Sequence, residues 1–262
     1  MDGITKVNPP ANKKLSFIRR KESELCSPIT EVHRLFAPTA QKESLLNKWW
    51  LAFRPESRWF TGRAYRVGKR AMDLFMIFMT VPFLLPIFLF CGLMLKLEDP
   101  RGPILFKQQR TGINGYRFGM YKFRTMVTNA EELKKELMHL NELQYPDFKI
   151  TNDPRITRMG RFLRKTSLDE LPQLLNIFKG EMSLVGPRPT SFAADTYSLW
   201  HTERLDVLPG LTGLWQIIGR GSMEFDERVR LDVIYIERRS LLLDFLILVG
   251  TFTAVLKQKG AH

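Results

Sequence analysis

Residues Leu74 to Leu95 read LFMIFMTVPFLLPIFLFCGLML and include no charged side chain. Since an α-helix rises about 1.5 Å per residue, this stretch is just long enough to cross the ~30 Å hydrocarbon layer of a bilayer. A buried helix of a soluble protein is the alternative, but such helices average about 11 to 12 residues and usually carry a polar face. The stretch therefore predicts attachment to a membrane.

Basic residues flank this stretch on both sides. They occur before it at Arg54, Arg58, Arg63, Arg66, Lys69 and Arg70, and after it at Lys96, Arg101, Lys107, Arg110, Arg117, Lys122 and Arg124. Positively charged flanks tend to stay in the cytoplasm, so both ends are predicted to lie on one side of the membrane. We therefore favour a re-entrant hairpin that comprises residues 74–95 and is broken near Pro82 and Pro86. A simple crossing is the alternative, since spanning helices also tolerate proline.

Composition narrows the class of partner. A net charge of +13 suits nucleic acid, an anionic membrane surface or a phosphorylated substrate. The apolar stretch favours the membrane, so we expect no nucleic-acid partner. The two cysteines, Cys26 and Cys91, lie in unlike surroundings and predict no disulfide framework, which suits a domain that faces the reducing cytosol.

The chain is expected to divide near residue 60. Residues 1–44 hold four prolines and no sustained periodicity, which is typical of a mobile tail. Residues 45–60 cluster three tryptophans among basic residues, which indicates either an interfacial segment or an ordinary packing helix. Residues 1–60 are thus a predicted basic tail, and residues 61–262 the membrane-embedded domain.

Beyond the apolar stretch, the patterns predict an α-rich α+β domain with short strands. Runs at 103–110 and 116–124 read as strands joined by a turn at Gly112 and Gly115. Helices are predicted at 129–143, at 156–165, from about 169 to Gly180, and at 225–239. The apolar segment 241–256 is too short to span a bilayer and carries Asp244, so it is either a membrane-surface helix or a core helix.

The segment Arg161 to Pro172, RFLRKTSLDELP, places an acidic pair directly after basic residues. Ser167 and Glu170 have the spacing of a capping box that opens a helix. Since Pro172 is comfortable only in a first turn, the helix is predicted to begin near Asp169, with both carboxylates at its positively polarised end. Such an end beside arginines suits an anionic ligand, and a phosphate better than a sugar alone.

Asp169 and Glu170 support several kinds of chemistry. A carboxylate among cations stays ionised, so either could bind Mg²⁺ or attack phosphorus as a nucleophile. Adjacent helical residues diverge by about 100°, so the pair cannot face each other across a glycosidic bond, as the acid and base of glycoside hydrolysis do. From the residues alone, phosphate chemistry and helix capping both remain open.

Two further segments have constrained backbones. Gly186-Pro187-Arg188-Pro189 presents one arginine on a stiff chain, which suits either phosphate binding or a rigid exposed turn. The segment 209–213, PGLTG, allows close approach of the backbone to a ligand or is simply a turn. The four histidines are scattered and only two cysteines occur, so a zinc site is not expected.

Taken in order, four motifs resemble the bacterial sugar transferase family, the monotopic polyprenyl-phosphate phosphoglycosyl transferases of cell-surface polysaccharide synthesis. They are KRAMDLF at 69–75, GPILFKQQRTGINGYRFGMYKFRTM at 102–126, RKTSLDELPQLLNIFKGEMSLVGPRP at 164–189 and LPGLTGLWQ at 208–216. The resemblance runs from about Lys69 to the C-terminus and leaves residues 1–60 outside it.

The resemblance implies transfer of a sugar 1-phosphate, that of glucose or galactose, from a UDP-sugar to undecaprenyl phosphate. UMP is released, and the lipid product starts exopolysaccharide, capsule or O-antigen synthesis. Asp169 would be the nucleophile that forms an aspartyl-phosphosugar intermediate, and Glu170 would assist it, with both holding Mg²⁺. Pro86 matches the proline at which the family's re-entrant membrane helix is broken. Basic positions that match the family's motifs, and would hold the phosphates, are Lys122, Arg124, Arg164 and Arg188.

The implied location is the bacterial inner membrane, with the catalytic domain facing the cytoplasm. The implied partners are the UDP-sugar, undecaprenyl phosphate and the membrane, while a second copy of the chain and downstream glycosyltransferases are left open. A different class of function also stays open, namely a membrane-anchored basic scaffold or anion-binding module without catalysis. That alternative predicts that neutralising Asp169 would leave function unharmed.

Overall fold

A helix of 37 residues, α1 (Gly62–Glu98), dominates the computed structural model, which describes residues 49–54, 60–142, 150–193, 199–218 and 223–256. The other strands and helices follow in this order: β1 (Leu105–Thr111), β2 (Arg117–Phe123), α2 (Ala130–Glu136), α3 (Arg158–Lys165), α4 (Gln173–Lys179), β3 (Ser183–Val185), β4 (Gly210–Thr212), α5 (Leu214–Ile218), α6 (Phe225–Arg238) and α7 (Leu241–Leu256). The domain is helix-rich with one long apolar helix and small sheets, as the sequence predicts.

The chain divides into two units, residues 1–49 and 50–262. Nearly all of the described residues belong to the second unit. The predicted tail over 1–60 lies mostly outside the described residues, and within it Trp49–Ala52 forms a 3₁₀ turn. The boundary near residue 60 and the interfacial segment therefore stay predictions.

Helix α1 continues through Pro82 and Pro86 without an interruption of its helical backbone. The structure therefore does not show a hairpin broken at Pro86, and re-entry stays a prediction. Between Phe78 and Phe90 the apolar side chains are mostly exposed, and Phe83 is 78% accessible. Among the helices that the structure describes, α1 is the one long and apolar enough to cross a membrane.

Both ends of α1 pack against the rest of the domain. Near its start, Tyr65 OH donates to Asp244 Oδ2 of α7 at 2.8 Å. Near its end, Leu95 lies in a buried cluster with Phe123 of β2, whose ring centre is 4.7 Å from that of Phe88. The apolar middle of the helix is thus held between two attachments to one domain.

Strands β1 and β2 form the antiparallel hairpin that the sequence predicts, with Leu105 opposite Phe123. The turn between them needs a left-handed backbone at Asn114 (φ 55°) and Gly115 (φ 79°). Glycine adopts this conformation freely and asparagine tolerates it, so the turn residues decide the hairpin. The pairing fixes the position of Lys122 near the end of β2.

Strands β3 and β4 form a parallel pair that the sequence patterns do not predict. Here the segments 186–189 and 209–213 meet, and Gly210 N donates to Pro187 O at 2.9 Å. A Cβ on Gly210 would lie 2.1 Å from Gly186 N, so this packing requires glycine. The close backbone approach expected of PGLTG is therefore an approach to the neighbouring strand.

Helices α2, α3, α4 and α6 follow the predicted pattern with shorter bounds, whereas α5 is not predicted. Helix α2 ends at Glu136, where a 3₁₀ turn over Met138–Leu140 replaces the predicted continuation to 143. Helix α3 begins after Thr157, whose side chain caps it, and α4 stops at Gly180 (φ 82°), as the sequence predicts.

Of the two roles that the sequence leaves open for helix α7, the structure shows the core role, and the membrane-surface role stays a prediction. Leu243, Asp244 and Ile247 are fully buried and face the core. The opposite side exposes apolar side chains at Leu242, Phe245, Val249 and Phe252. The helix is therefore a core element with one apolar exposed side, which suits a position at the membrane surface.

Candidate active site

The acidic pair lies in a 3₁₀ turn, Leu168–Glu170, directly before α4. Ser167 precedes the turn with a left-handed backbone (φ 58°, ψ 15°), and its side chain makes no capping hydrogen bond. A capping residue has an extended backbone and accepts a bond from the first turn, so the capping-box interpretation of Ser167 and Glu170 is wrong. The helix itself begins at Gln173, later than predicted.

Lys122 of β2 contacts both carboxylates. Its Nζ lies 2.9 Å from Glu170 Oε1 and 3.5 Å from Asp169 Oδ2. Only 12% of the Asp169 side chain and 19% of the Glu170 side chain are accessible, so solvent screens these attractions weakly. The hairpin thus supplies one cation to a turn that lies 47 residues farther along the chain.

Arg188 binds Glu170 from a second direction. Its Nη1 donates to Glu170 Oε2 at 3.3 Å, and its Nη2 pairs with Oε1. The bond from Gly210 N to Pro187 O holds the backbone from which Arg188 extends. Since 31% of the Arg188 side chain is accessible, the guanidinium remains open to a ligand while it holds Glu170.

The two carboxylates differ in pKa. Burial raises the pKa of Asp169, and the charge of Lys122 opposes that rise. Burial acts in the same direction on Glu170, but Arg188 and Lys122 outweigh it and hold the pKa of Glu170 well below its usual range. Glu170 therefore carries the charge that pairs with both cations, whereas among the described residues the carboxylate of Asp169 is hydrogen-bonded to Lys122 alone.

The other two predicted phosphate-binding residues make their hydrogen bonds elsewhere. Arg164 Nε donates to Thr125 Oγ1 at 2.9 Å, although its charge still lowers the pKa of Asp169. Arg124 is 7% exposed and pairs with Asp99, just beyond α1. The structure thus places Arg164 within electrostatic reach of the site and turns Arg124 toward the end of the membrane helix.

Two buried charges near the site are missing from the sequence predictions. Arg204 Nη2 donates to the carbonyl oxygen of Arg188 and to Asp232 Oδ2, at 2.7 Å in both cases. Asp232 stands in the apolar run LDVIYI of α6, which is a signal for a buried charge. A single charge in an amphipathic helix is usually solvated, however, so the sequence alone does not single it out.

The donor atoms at the site suit Mg²⁺ and phosphate. Proteins usually bind Mg²⁺ through one or two carboxylates together with phosphates of the substrate, and Asp169 and Glu170 supply such oxygens side by side. Lys122 and Arg188 supply charged donors for phosphate. Across the described ranges no three His, Cys, Asp or Glu side chains gather into a larger metal site. The residues therefore fit a Mg²⁺ ion shared with substrate phosphates.

Comparison with known proteins decides the family. The model of the family described as bacterial sugar transferase matches residues 64–258, a range that includes the acidic pair and both of its cations. The chain belongs to the bacterial sugar transferase family. The predicted resemblance is thereby confirmed over most of the chain.

Three relatives of this bacterial sugar transferase cover much of its sequence. The galactosyl transferase CpsE of Streptococcus agalactiae is 46% identical over 180 residues, which are 66% of this chain and 40% of the relative. The undecaprenyl-phosphate galactose phosphotransferase of Salmonella typhimurium is 42% identical over 205 residues, 76% of this chain and 43% of the relative. The exopolysaccharide production protein ExoY of Sinorhizobium fredii is 40% identical over 203 residues, 75% of this chain and 88% of ExoY. The matched segment is thus less than half of the first two relatives and most of the third.

Proposed function

We propose that this bacterial sugar transferase transfers a sugar 1-phosphate from a UDP-sugar to undecaprenyl phosphate and releases UMP. The observation that carries the proposal is a largely buried carboxylate, Asp169, beside Lys122 and the Glu170–Arg188 pair. One relative is named an undecaprenyl-phosphate galactose phosphotransferase and another an exopolysaccharide production protein, which supports this reaction and a place at the start of polysaccharide synthesis.

The reaction takes two displacements at one phosphorus. First, a carboxylate oxygen of Asp169 attacks the phosphorus that carries the sugar, the bond from that phosphorus to the oxygen of UMP breaks, and UMP leaves as an anion. Second, an oxygen of undecaprenyl phosphate attacks the same phosphorus, and the bond to Asp169 breaks. The lipid then carries the sugar through a diphosphate, and the free carboxylate is restored. Covalent catalysis of this kind divides one difficult step into two easier ones.

Lys122 and Arg188 are placed to stabilise the transferring phosphoryl group. Both hold Glu170 in the structure, and they keep it anionic. An incoming diphosphate offers further anionic oxygens, so these cations can turn to the substrate without leaving a buried charge unpaired. Glu170 is then free to hold Mg²⁺ together with Asp169, and that ion would offset negative charge on the phosphate oxygens.

We infer from the contacts of α1 that both of its ends lie at the cytoplasmic face of the inner membrane, as a re-entrant placement requires. Lys69 is paired with Asp244 at 2.9 Å, and Leu95 lies beside Phe123, so the same domain holds both ends. A simple crossing would require one attachment on each side of the bilayer. Re-entry instead leaves the domain at headgroup depth, where a lipid phosphate meets a soluble sugar nucleotide.

Galactose is the first sugar to test, with glucose as the second choice. The relatives include a galactosyl transferase and a galactose phosphotransferase. A further relative from Aeromonas hydrophila, 35% identical over 205 residues, is named for N-acetylgalactosamine. The donor panel should therefore include UDP-galactose, UDP-glucose and UDP-N-acetylgalactosamine.

Release of UMP by the full chain in nanodiscs tests the proposal. We expect Mg²⁺-dependent release from one donor in the presence of undecaprenyl phosphate, and a loss of about 10³-fold or more in Asp169→Asn. Asp226→Asn, a surface substitution on α6, is the matched control and should keep full activity. Without the lipid, the wild-type protein should gain the mass of one sugar phosphate, and Asp169→Asn should not.

The same experiment separates the transferase from a binding module. A folded wild-type protein that releases UMP from none of the donors would contradict the proposal and favour the scaffold. A binding module also predicts that Asp169→Asn holds anions at least as tightly as the wild type, because one negative charge has been removed from a basic surface.

A further inference from the structure

A buried ion pair lies beside the acidic site without being part of it. Arg204, in the 3₁₀ segment Leu199–Asp206, is joined to Asp232 of α6 by a contact of 2.7 Å between Nη2 and Oδ2. The two residues are 5% and 1% exposed. Because desolvation of two buried charges offsets much of their attraction, stability alone does not explain such a pair.

Arg204 also reaches the segment that carries Arg188. Its Nη2 donates to the carbonyl oxygen of Arg188 at 2.7 Å. That oxygen belongs to the residue whose guanidinium holds Glu170. The contacts therefore lead from Asp232 in α6, through Arg204, to the backbone of Arg188, whose side chain reaches the acidic turn.

The surroundings give the Arg204 guanidinium one orientation. Asp232 accepts its hydrogen bond, and the ring centre of Phe225, on the same helix, lies 5.9 Å from its Cζ. Burial raises the pKa of Asp232 to about 6, while Arg204 and Arg228 oppose that rise. Asp232 is therefore ionised at neutral pH and accepts a charge-assisted bond, which is stronger than a neutral one.

We propose that Arg204, oriented by Asp232, is a positioning residue that sets the Arg188 guanidinium for the phosphate of the substrate. The inference rests on the proposed function, since it concerns the same transfer at Asp169. The prolines on either side of Arg188 restrict its backbone, and the bond from Arg204 fixes the direction of its carbonyl group. Arg204 and Asp232 act through Arg188 and do not touch the reacting atoms.

A double-mutant cycle tests this inference with the full chain in nanodiscs and the sugar nucleotide that gives UMP release. Asp232→Asn keeps the size of the side chain and removes its charge, so we expect a fall of about tenfold in kcat/KM. In an Arg188→Gln background, the same substitution should change kcat/KM by less than about twofold, because the group that Arg204 positions is already gone.

Asp226→Asn is the matched control for this cycle. Asp226 also joins α6 to the 3₁₀ segment, through a 3.1 Å contact with His201, but its side chain is 57% accessible. We expect this substitution to leave kcat/KM unchanged in both backgrounds.

Equal losses in the two backgrounds would overturn the positioning role, because a merely structural pair acts independently of Arg188. If Asp232→Asn does not fold, as judged by Tm, Arg204→Lys enters the same cycle, since it keeps the buried cation and shortens its reach. A wild-type protein that releases UMP while neither variant shows coupling refutes the positioning role alone. A wild-type protein without UMP release refutes the proposed function, and this inference with it.

Discussion

Before substrate binds, Glu170 is the anion that pairs with Lys122 and Arg188. Without it, two cations would face each other across a weakly solvated site and repel. The pairing with Glu170 keeps both cations near Asp169, where they could bind the diphosphate of a substrate. In the proposed mechanism this difference between the two carboxylates is useful, because Glu170, with the depressed pKa, pairs with the cations, and Asp169, with the raised pKa, would act as the nucleophile.

Removal of the Lys122 charge should move the pH dependence of the reaction. Lys122 lowers the pKa of Asp169, so Lys122→Met raises it further. In the proposed mechanism Asp169 attacks as an ionised carboxylate, so activity should be lost as pH falls through its pKa. We therefore expect the acid limb of the pH profile for UMP release, measured in single turnovers, to shift to higher pH in Lys122→Met. This shift is expected whatever the change in the maximal rate.

Two comparisons check this expectation. Lys107→Met, on the neighbouring strand beside Tyr121, should leave the limb in place, because Lys107 is not among the groups that set the pKa of Asp169. Glu170→Gln removes a negative charge that raises the pKa of Asp169, so the limb should move to lower pH. A Lys122→Met profile that stays in place or moves to lower pH would contradict the assignment of Asp169 as the group that must ionise.

The secondary-structure elements differ in how well their local sequence predicts them. The β1–β2 hairpin is predictable because Asn114 and Gly115 select its turn within a few residues. The β3–β4 pair joins strands of three residues that are distant in sequence, and its signal is confined to the glycines that let two backbones approach. Such a contact is tertiary, so propensity and periodicity do not reveal it.

The site is predictable in its residues more than in its conformation. The motifs indicate Asp169, Glu170, Lys122 and Arg188, and the structure brings these four together. The left-handed backbone of Ser167 cannot be predicted from the sequence, because the spacing of Ser167 and Glu170 also fits a capping box. Local sequence thus identifies the charged groups, and tertiary contacts decide which of them meet.

Asp73 of α1 fastens the membrane helix to strand β3. Its carboxylate, in a residue 2% exposed, accepts bonds from Ser183 Oγ at 2.7 Å and Leu184 N at 3.2 Å. Asp73→Ala leaves a buried N–H without a partner, so we expect the free energy of unfolding to fall by about 1 to 3 kcal/mol. Chemical denaturation in detergent micelles, followed by circular dichroism, measures this change.

Two control variants distinguish the effect of losing the buried hydrogen bonds of Asp73 from the effect of losing any carboxylate. Glu132→Ala removes an exposed carboxylate from the first turn of α2 and should change stability by less than about 0.5 kcal/mol. Asp73→Asn keeps one acceptor oxygen and should fall between the two. If Asp73→Ala were as stable as Glu132→Ala, Asp73 would not be the link between α1 and β3.

At the scale of the whole molecule, the long apolar helix α1 and the candidate active site share one support. Strand β3 donates two hydrogen bonds to Asp73 of α1 and leads directly into the Arg188 segment. At the other end of α1, Leu95 packs with Phe123, which follows Lys122 in β2. The attachments of α1 therefore lead to both cations that hold Glu170, so the placement of α1 and the position of the acidic site are determined together.

Labelling of single cysteines tests whether both ends of α1 lie on the cytoplasmic side. Arg66→Cys and Leu97→Cys are suitable, because both side chains are exposed and lie at opposite ends of the apolar part. In a chain with both natural cysteines replaced, we expect a membrane-impermeant maleimide to modify each position in inverted inner-membrane vesicles and neither position in intact cells. The reason is that the domain holds both ends of α1, and a domain cannot lie on both sides of a bilayer.

Phe83→Cys controls for burial in the bilayer. Phe83 is 78% accessible in the protein alone, so resistance of this cysteine to the reagent in both preparations, and its modification after detergent is added, would place the middle of α1 in lipid. Labelling of Arg66→Cys and Leu97→Cys from opposite sides would mean that α1 crosses the membrane, and the re-entrant placement would be wrong. Labelling of all three positions from the cytoplasmic side would mean that α1 lies on the membrane surface, which also contradicts re-entry.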